Sequence, residues 1–313
     1  MAFAHLHLHS KYSILDGSIH ISKLVTRLKE LDMETCAITD HRTMSGVIEF
    51  YREMKKHDLK PIIGMEIELS LAPCTEKSNE NKDTYHLVLL CDNQTGWSNL
   101  KRIATRANLE GFYYKPRIDH EILKEHSEGL IGLSACASGL VSKLVINRQM
   151  EAAKAQIEVY KETFNGRFFL EIQENGIIYN EGEELEISQH TINQCLIELG
   201  EQTDTVVIAT NDCHYLLEED AEMHDMILAI QTNAKLSDPD RFKFDSTSLF
   251  LKSEEEMRQS FDYYEQAVDN SAWLASSIGE IEISLDGDNN IFNFPNFKIE
   301  EADDYQEFIS RKP

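Results

Sequence analysis

The stretch FAHLHLHS, residues 3–10, sets histidine at every second position: His5, His7 and His9. In an extended strand alternate side chains share a face. All three rings are therefore expected on one side, with Leu6 and Leu8 on the other. Imidazole is the commonest metal ligand at neutral pH. Three of them opening an otherwise apolar strand predict a ligand-bearing strand, placed early in an α/β fold.

Working outward, short apolar runs alternate with helical patterns. Ile21, Leu24, Val25, Leu28 and Leu31 recur at helical spacing. Strands are predicted at 35–39, 61–69, 85–90, 130–133, 167–172 and 206–210. Helices are predicted at 46–56, at 150–164 with Gly166 as its stop, and at 192–199 ending near Gly200. Residues 72–83 are polar and turn-rich and read as a surface loop. Strands alternating with helices imply a parallel sheet with crossovers. About seven of them suggest a closed or nearly closed barrel. A doubly wound open sheet is the alternative that periodicity leaves standing.

Beyond residue 215 the pattern changes. Helices are predicted at 219–231, 253–262 and 263–278. Ser253 with Glu256 three residues on is a capping-box signature. Residues 284–298 read as extended and loop-rich. The expected organisation is a barrel over 1–216, a helical extension over 217–283 and a linker or tail over 284–313. The run Asp286 to Asn290 begins like a calcium loop, but Ile291 and Phe297 stand where glycine and glutamate are needed, so it reads as a turn.

Chemistry-bearing residues gather where the strands end. Asp16 follows the first strand; Asp40 and His41 end the second; Glu66 ends the third. His86 opens the fourth, Cys136 follows the fifth, and Asn211, Asp212 and His214 follow the last. In a parallel barrel those ends converge on one active face. Glu171 and Gln173 share a face of the strand at 167–172 and read as structural hydrogen-bonding residues near that face. Lys115 and Arg117 follow the aromatic run Phe112-Tyr113-Tyr114, a grouping suited to holding phosphate and stacking on bases.

The bulk numbers narrow the class. The 313 residues carry a formal net charge of -25, with 42% hydrophobic residues. That is enough for one large core, and it lowers the expectation of tight stand-alone DNA binding. Six widely spaced cysteines without a Cys-x-x-Cys predict reduced thiols and no disulfide framework. No apolar run reaches membrane-span length. The expectation is a soluble cytoplasmic protein with no membrane partner.

The blocks FAHLHLHSKYSILDG, AITDHRTMSGVIEFY, PIIGMEI, YHLVLLCDNQTGWSNL, GFYYKPRID, LIGLSACASG and VVIATNDCHYL run in order from residue 3 to about 216. Together they resemble the PHP (polymerase and histidinol phosphatase) domain of bacterial-type DNA polymerase III α subunits. Residues 217–300 resemble the segment leading towards the polymerase palm. The resemblance implies a distorted (βα)7 barrel and nine metal ligands: His7, His9, Asp16, His41, Glu66, His86, Cys136, Asp212 and His214. His5 matches a polar position that is not a ligand. Asp40 and Asn211 would orient imidazoles from behind. Five histidines, three carboxylates and a thiolate suit two or three divalent ions, of zinc, manganese or iron. Asp16, Glu66 and Asp212 would be the catalytic carboxylates.

The implied activity is metal-dependent phosphoester hydrolysis, as a 3′→5′ exonuclease on single-stranded DNA ends and so a proofreading activity. The implied partners are DNA, a polymerase core and other replisome subunits. Two other functions compete. One is a non-catalytic scaffold that binds the polymerase core or a separate proofreading subunit. The other is a small-molecule phosphatase like the histidinol-phosphate hydrolases. Palm aspartates needed for polymerisation are not expected in this length of chain.

Overall fold

A computed structural model describes residues 3–14, 16–181, 185–244 and 246–283. The expected tail over 284–313, including the turn at 286–290, lies outside the described residues. The strands predicted from residue 35 onward and the predicted helices form, and helices at Gln94–Leu109, His120–Glu125 and Leu140–Ile146 and strands at Ile118–Asp119, Ile178–Glu181 and Leu185–Ser188 are added to them. In chain order the elements begin α1 (Ile21–Glu30), β1 (Thr35–Ile38), α2 (Val47–Lys56), β2 (Lys60–Ser70), β3 (Tyr85–Cys91) and α3 (Gln94–Leu109). Next come β4 (Ile118–Asp119), α4 (His120–Glu125), β5 (Leu130–Leu133), α5 (Leu140–Ile146), α6 (Met150–Thr163) and β6 (Phe168–Gln173). A hairpin of β7 (Ile178–Glu181) and β8 (Leu185–Ser188) leads to α7 (Gln189–Thr203) and β9 (Val207–Thr210). The described chain closes with α8 (Ala221–Gln231), α9 (Glu254–Ser260) and α10 (Gln266–Ser277).

The main sheet runs β1-β2-β3-β5-β6-β9, with β4 beside β2. It is not wholly parallel: β3 is antiparallel to both β2 and β5. The cause lies in the β2–β3 connection, whose described structure is a loop with only a three-residue 3-10 turn at Asn79–Asn81. A parallel return needs a crossover, usually a helix.

Residues 3–9 also depart from expectation. They lie between β1 and β9 but form no regular ladder. His5 C=O accepts from Ala37 N–H and Leu8 C=O from Thr39 N–H, while His9 N–H donates to Cys213 C=O (2.8 Å). Leu8 N–H donates to the Thr39 hydroxyl at 2.8 Å, a side chain standing where a ladder carbonyl would. These bonds to both outer strands close the sheet into a distorted α/β barrel. They also break strict alternation. Leu6 joins the interior cluster with Ala37, Ile62, Val88, Ile131 and Ile208, whereas His5 turns away to Lys252 C=O (2.8 Å). The three histidines therefore do not share one face.

Leu274, Ala275 and Ile278, in and just after α10, belong to that same cluster. Ser271 locks the helix to β9, donating to Ala209 C=O and accepting from Ala209 N–H. The capping box at Ser253 forms as read: Glu256 N–H donates to Ser253 Oγ, and Glu256 Oε2 accepts from Ser253 N–H at 2.7 Å. No helix among the described residues is long and apolar enough to cross a membrane.

Candidate metal centre

The segments just beyond β1, β5 and β9, the middle of β2, the start of β3 and the 7–16 segment bring nine ligand-type side chains together. Glu66 lies inside β2, not at its end as expected from the sequence, because pairing with β3 and β4 extends the strand to Ser70. His7 Nε2 stands 3.1 Å from His9 Nε2, 3.4 Å from Glu66 Oε1 and 3.3 Å from Asp212 Oδ1. His9 Nε2 is 3.0 Å from the same Asp212 oxygen. His86 Nδ1 approaches Glu66 Oε1 at 2.9 Å, and His41 Nδ1 touches Glu66 Oε2. Asp16 spans His41 (3.2 Å) and His214 (3.3 Å) with its two oxygens. Cys136 Sγ lies 3.7 Å from His86 Nδ1. Two nitrogens on one tetrahedral ion, each about 2.0–2.1 Å from it, stand about 3.3 Å apart. The spacings here are of that size.

Local backbone aims these groups. Arg42, Ala135 and Asp212 all have positive φ, at 59°, 62° and 49°. Each is a ligand or its chain neighbour, and non-glycine residues adopt this region at a cost that clusters at functional sites. Gly17 and Gly139 close the turns beyond Asp16 and Cys136. A Cβ at either would sit 2.1 Å from a backbone oxygen, of Ser10 or Ser134.

The electrostatics favour a cation. Burial raises carboxylate pKa values, yet the imidazoles of His86 and His41 hold Glu66 well below its usual range. His7 and His214 do the same for Asp212, and His214 and His41 for Asp16. Burial lowers His41, but Glu66 and Asp16 outweigh it and push it up to about 10. His7, His86 and His214 also rise against burial, through neighbouring carboxylates. Asp16 Oδ1, both Glu66 oxygens and Asp212 Oδ1 are buried without an aligned hydrogen-bond donor. Buried anionic oxygens of this kind are costly unless paired or bound to metal. The residues therefore fit a divalent-ion site.

Residues 5–175 match the family model described as PHP domain. The chain belongs to the PHP domain family. Its relatives include the DNA polymerase III α subunits of Borreliella burgdorferi (38% identical over 91% of this chain) and Thermus aquaticus (36% over 96%). That of Helicobacter pylori is 38% identical over 96%. This PHP domain spans about a quarter of the length of those relatives, 24%, 24% and 25%. A Bacteroides vulgatus structure containing a predicted PHP-like metal-dependent phosphoesterase aligns at TM-score 0.41 and 13% identity, over 83% of this chain and 62% of its own.

Residues behind the ligands are partly those anticipated. Asp40 accepts from Ser10 N–H, Ser10 Oγ and Ser13 Oγ. Ser13 Oγ in turn lies 3.2 Å from His9 Nδ1 and accepts from His41 N–H. Asp40 thus reaches a ligand through one hydroxyl. Asn211 contacts no imidazole through its amide nitrogen; it donates to Ser248 and Phe250 carbonyls and anchors the segment before α9.

Arg117 also moves out of its expected role. It is 1% exposed, and its guanidinium serves the carbonyls of Gly111, Asn81, Cys74 and Glu76. A cation so enclosed braces two loops and cannot meet substrate. Lys115 instead pairs with Glu68 at 2.9 Å, and Glu68 lies 3.6 Å from His86 Nε2.

Glu171 carries more than a structural role. It contacts His7 Nδ1 at 2.9 Å and is held by the Thr210 hydroxyl and Ala135 N–H. The position of Glu171 at the end of its strand was visible in sequence; its partner was not. Two further neighbours of the ligands, Glu68 and His224, are not among the residues the sequence singles out. Glu68 lies two residues beyond Glu66 on the same strand, a usable signal. His224 comes from α8 and packs 5.4 Å from the His214 ring, which nothing local announces.

Proposed function

We propose that this PHP domain hydrolyses phosphoesters with two or three bound divalent ions, as a 3′→5′ exonuclease within a DNA polymerase III α-type protein. The observation that carries the reading is the convergence of His7, His9, Asp16, His41, Glu66, His86, Cys136, Asp212 and His214 around buried carboxylate oxygens that lack an aligned donor. Zinc, manganese or iron suits this mixture of imidazole, carboxylate and thiolate. Such ions supply Lewis acidity that activates water and neutralises charge on the phosphoester.

The chain's own residues prepare the site. Glu66 turns one oxygen to His7 and His86 and the other to His41, so both of its oxygens would help to hold the ions. Asp212 Oδ1 faces His7, His9 and His214 together. Glu171 holds the Nδ1 proton of His7, which leaves Nε2 free as a donor to metal. The relatives' name, DNA polymerase III subunit alpha, supports DNA as the substrate class; the 3′ end as the site of attack, and a polymerase core and other replisome subunits as partners, are part of this proposal.

The test pairs elemental analysis of the purified chain with digestion of 5′-labelled single-stranded DNA. Chelated protein and Asp212→Asn serve as controls. Two or three ions per chain, with shortening from the 3′ end lost in both controls, is the expected result. Bound ions without digestion would sink the nuclease and leave a scaffold for the polymerase. Faster turnover of histidinol phosphate than of DNA would move the substrate to a small molecule.

A further inference from the structure

The loop after α3 carries an exposed aromatic residue that packing does not explain. Tyr114 is 77% exposed, and its backbone sits at φ 61°. That is an outlier for a bulky residue and is costly unless its surroundings enforce it. The enforcement is visible. Tyr113 N–H donates across the turn to Lys115 C=O at 3.1 Å, folding the chain back on either side of Tyr114. Arg117 fastens the loop to four carbonyls and lies 5.0 Å from the centre of the Tyr113 ring. Tyr113 stands edge-on to Tyr114 at 4.6 Å. A rigid support thus holds one aromatic ring out in solvent.

The next residue ties that ring to the metal centre. Lys115 Nζ is 2.9 Å from Glu68 Oε2, and Glu68 Oε1 is 3.6 Å from His86 Nε2. The residue that follows Tyr114 in the chain is therefore joined through Glu68 to a candidate ligand. The chain that carries Tyr114 is strongly acidic, and the lysine next to it in sequence is committed to Glu68.

We infer that Tyr114 is a stacking platform for a base of a single-stranded nucleic acid whose 3′ end enters the metal centre, held in register by the Lys115–Glu68 pair. Every base has a π-face, so a platform of this kind grips single strands without reading sequence. Paired bases are already stacked within the duplex, so the platform favours frayed or unpaired ends. The inference deepens the phosphoesterase reading and rests on it for the substrate class.

The test reads binding and digestion separately. Fluorescence anisotropy would follow a labelled single-stranded oligothymidylate carrying phosphorothioate linkages at its 3′ end, so that binding is measured without cleavage. Tyr114→Asn, which tolerates left-handed backbone, should weaken binding about tenfold, and Tyr114→Trp should preserve it. A series with one abasic residue at successive positions should contain a position where wild type loses as much as Tyr114→Asn. At that position the variant should lose nothing further. Unchanged binding by Tyr114→Asn, or an undiminished effect of the variant at every abasic position, would overturn the platform. Digestion that persists with Tyr114-independent binding would remove the platform and leave the phosphoesterase. Tyr114-dependent binding without digestion by wild type would do the reverse.

Discussion

Glu171 Oε1 meets His7 Nδ1 at 2.9 Å, while the other Glu171 oxygen accepts from Ala135 N–H at 2.7 Å. The pair fixes both the tautomer and the tilt of a ring whose far nitrogen faces Glu66, Asp212 and His9. A carboxylate behind a ligand imidazole raises its basicity as well as orienting it. Glutamine at 171 would lose the charge and turn an amide N–H towards a donor. Glu171→Gln is expected to weaken metal binding by about 10- to 100-fold, measured by competition with a chromophoric chelator. An unchanged affinity would show that His7 needs no such support.

Metal removal should cost stability as well as activity. An ion that binds only the folded state at about 100 times its Kd adds roughly 2.7 kcal/mol. For a domain of this size each kcal/mol moves Tm by about 2–4 °C. Chelation should therefore lower Tm by roughly 5–10 °C, with recovery on adding zinc or manganese. The clustered buried carboxylates are the reason: without a cation their oxygens have only poorly aligned imidazoles to offset burial. A Tm that ignores complete metal loss would show that the site contributes nothing to folding.

His5 predicts a pH effect distinct from the ligands. Burial lowers it from 6.5 to about 4, only partly offset by the hydrogen bond to Lys252 C=O. The unfolded chain therefore binds a proton between pH 4 and 6.5 that the folded chain refuses. Stability from this residue is complete above about pH 6.5 and is lost as pH falls towards 4, by about 3 kcal/mol at most. His5→Gln keeps a donor for the carbonyl and cannot titrate. Urea denaturation of both proteins under chelation should show a shallower pH slope for the variant over pH 4–6.5; equal slopes would contradict the assignment.

Arg117 is expected to govern folding and not metal content. Replacing it by methionine keeps bulk but leaves four carbonyls without their donor. The expected cost is roughly 3 kcal/mol or more, read from urea denaturation, with the number of bound ions unchanged. A variant of normal stability but impaired DNA binding would return Arg117 to the substrate.

The sequence by itself determined the rhythm of strands and helices and the residue types at each strand end. Both are properties of short windows. Period 2 and period 3.6 patterns are written in neighbouring residues, and Ser253 with Glu256 announces its cap within four positions. The tertiary structure decided what depends on partners far along the chain. The reversal of β3 followed from a connection without a crossover helix, and the irregular path of residues 3–9 from bonds to Ala37, Thr39 and Cys213. Arg117 read as a free cation because the carbonyls that enclose it include three from residues 74–81. Glu171 read as structural because His7 lies 164 positions away. Local pattern specifies which elements form; which side chain a buried charge meets is fixed only when the barrel closes and desolvation forces each polar group to find a partner.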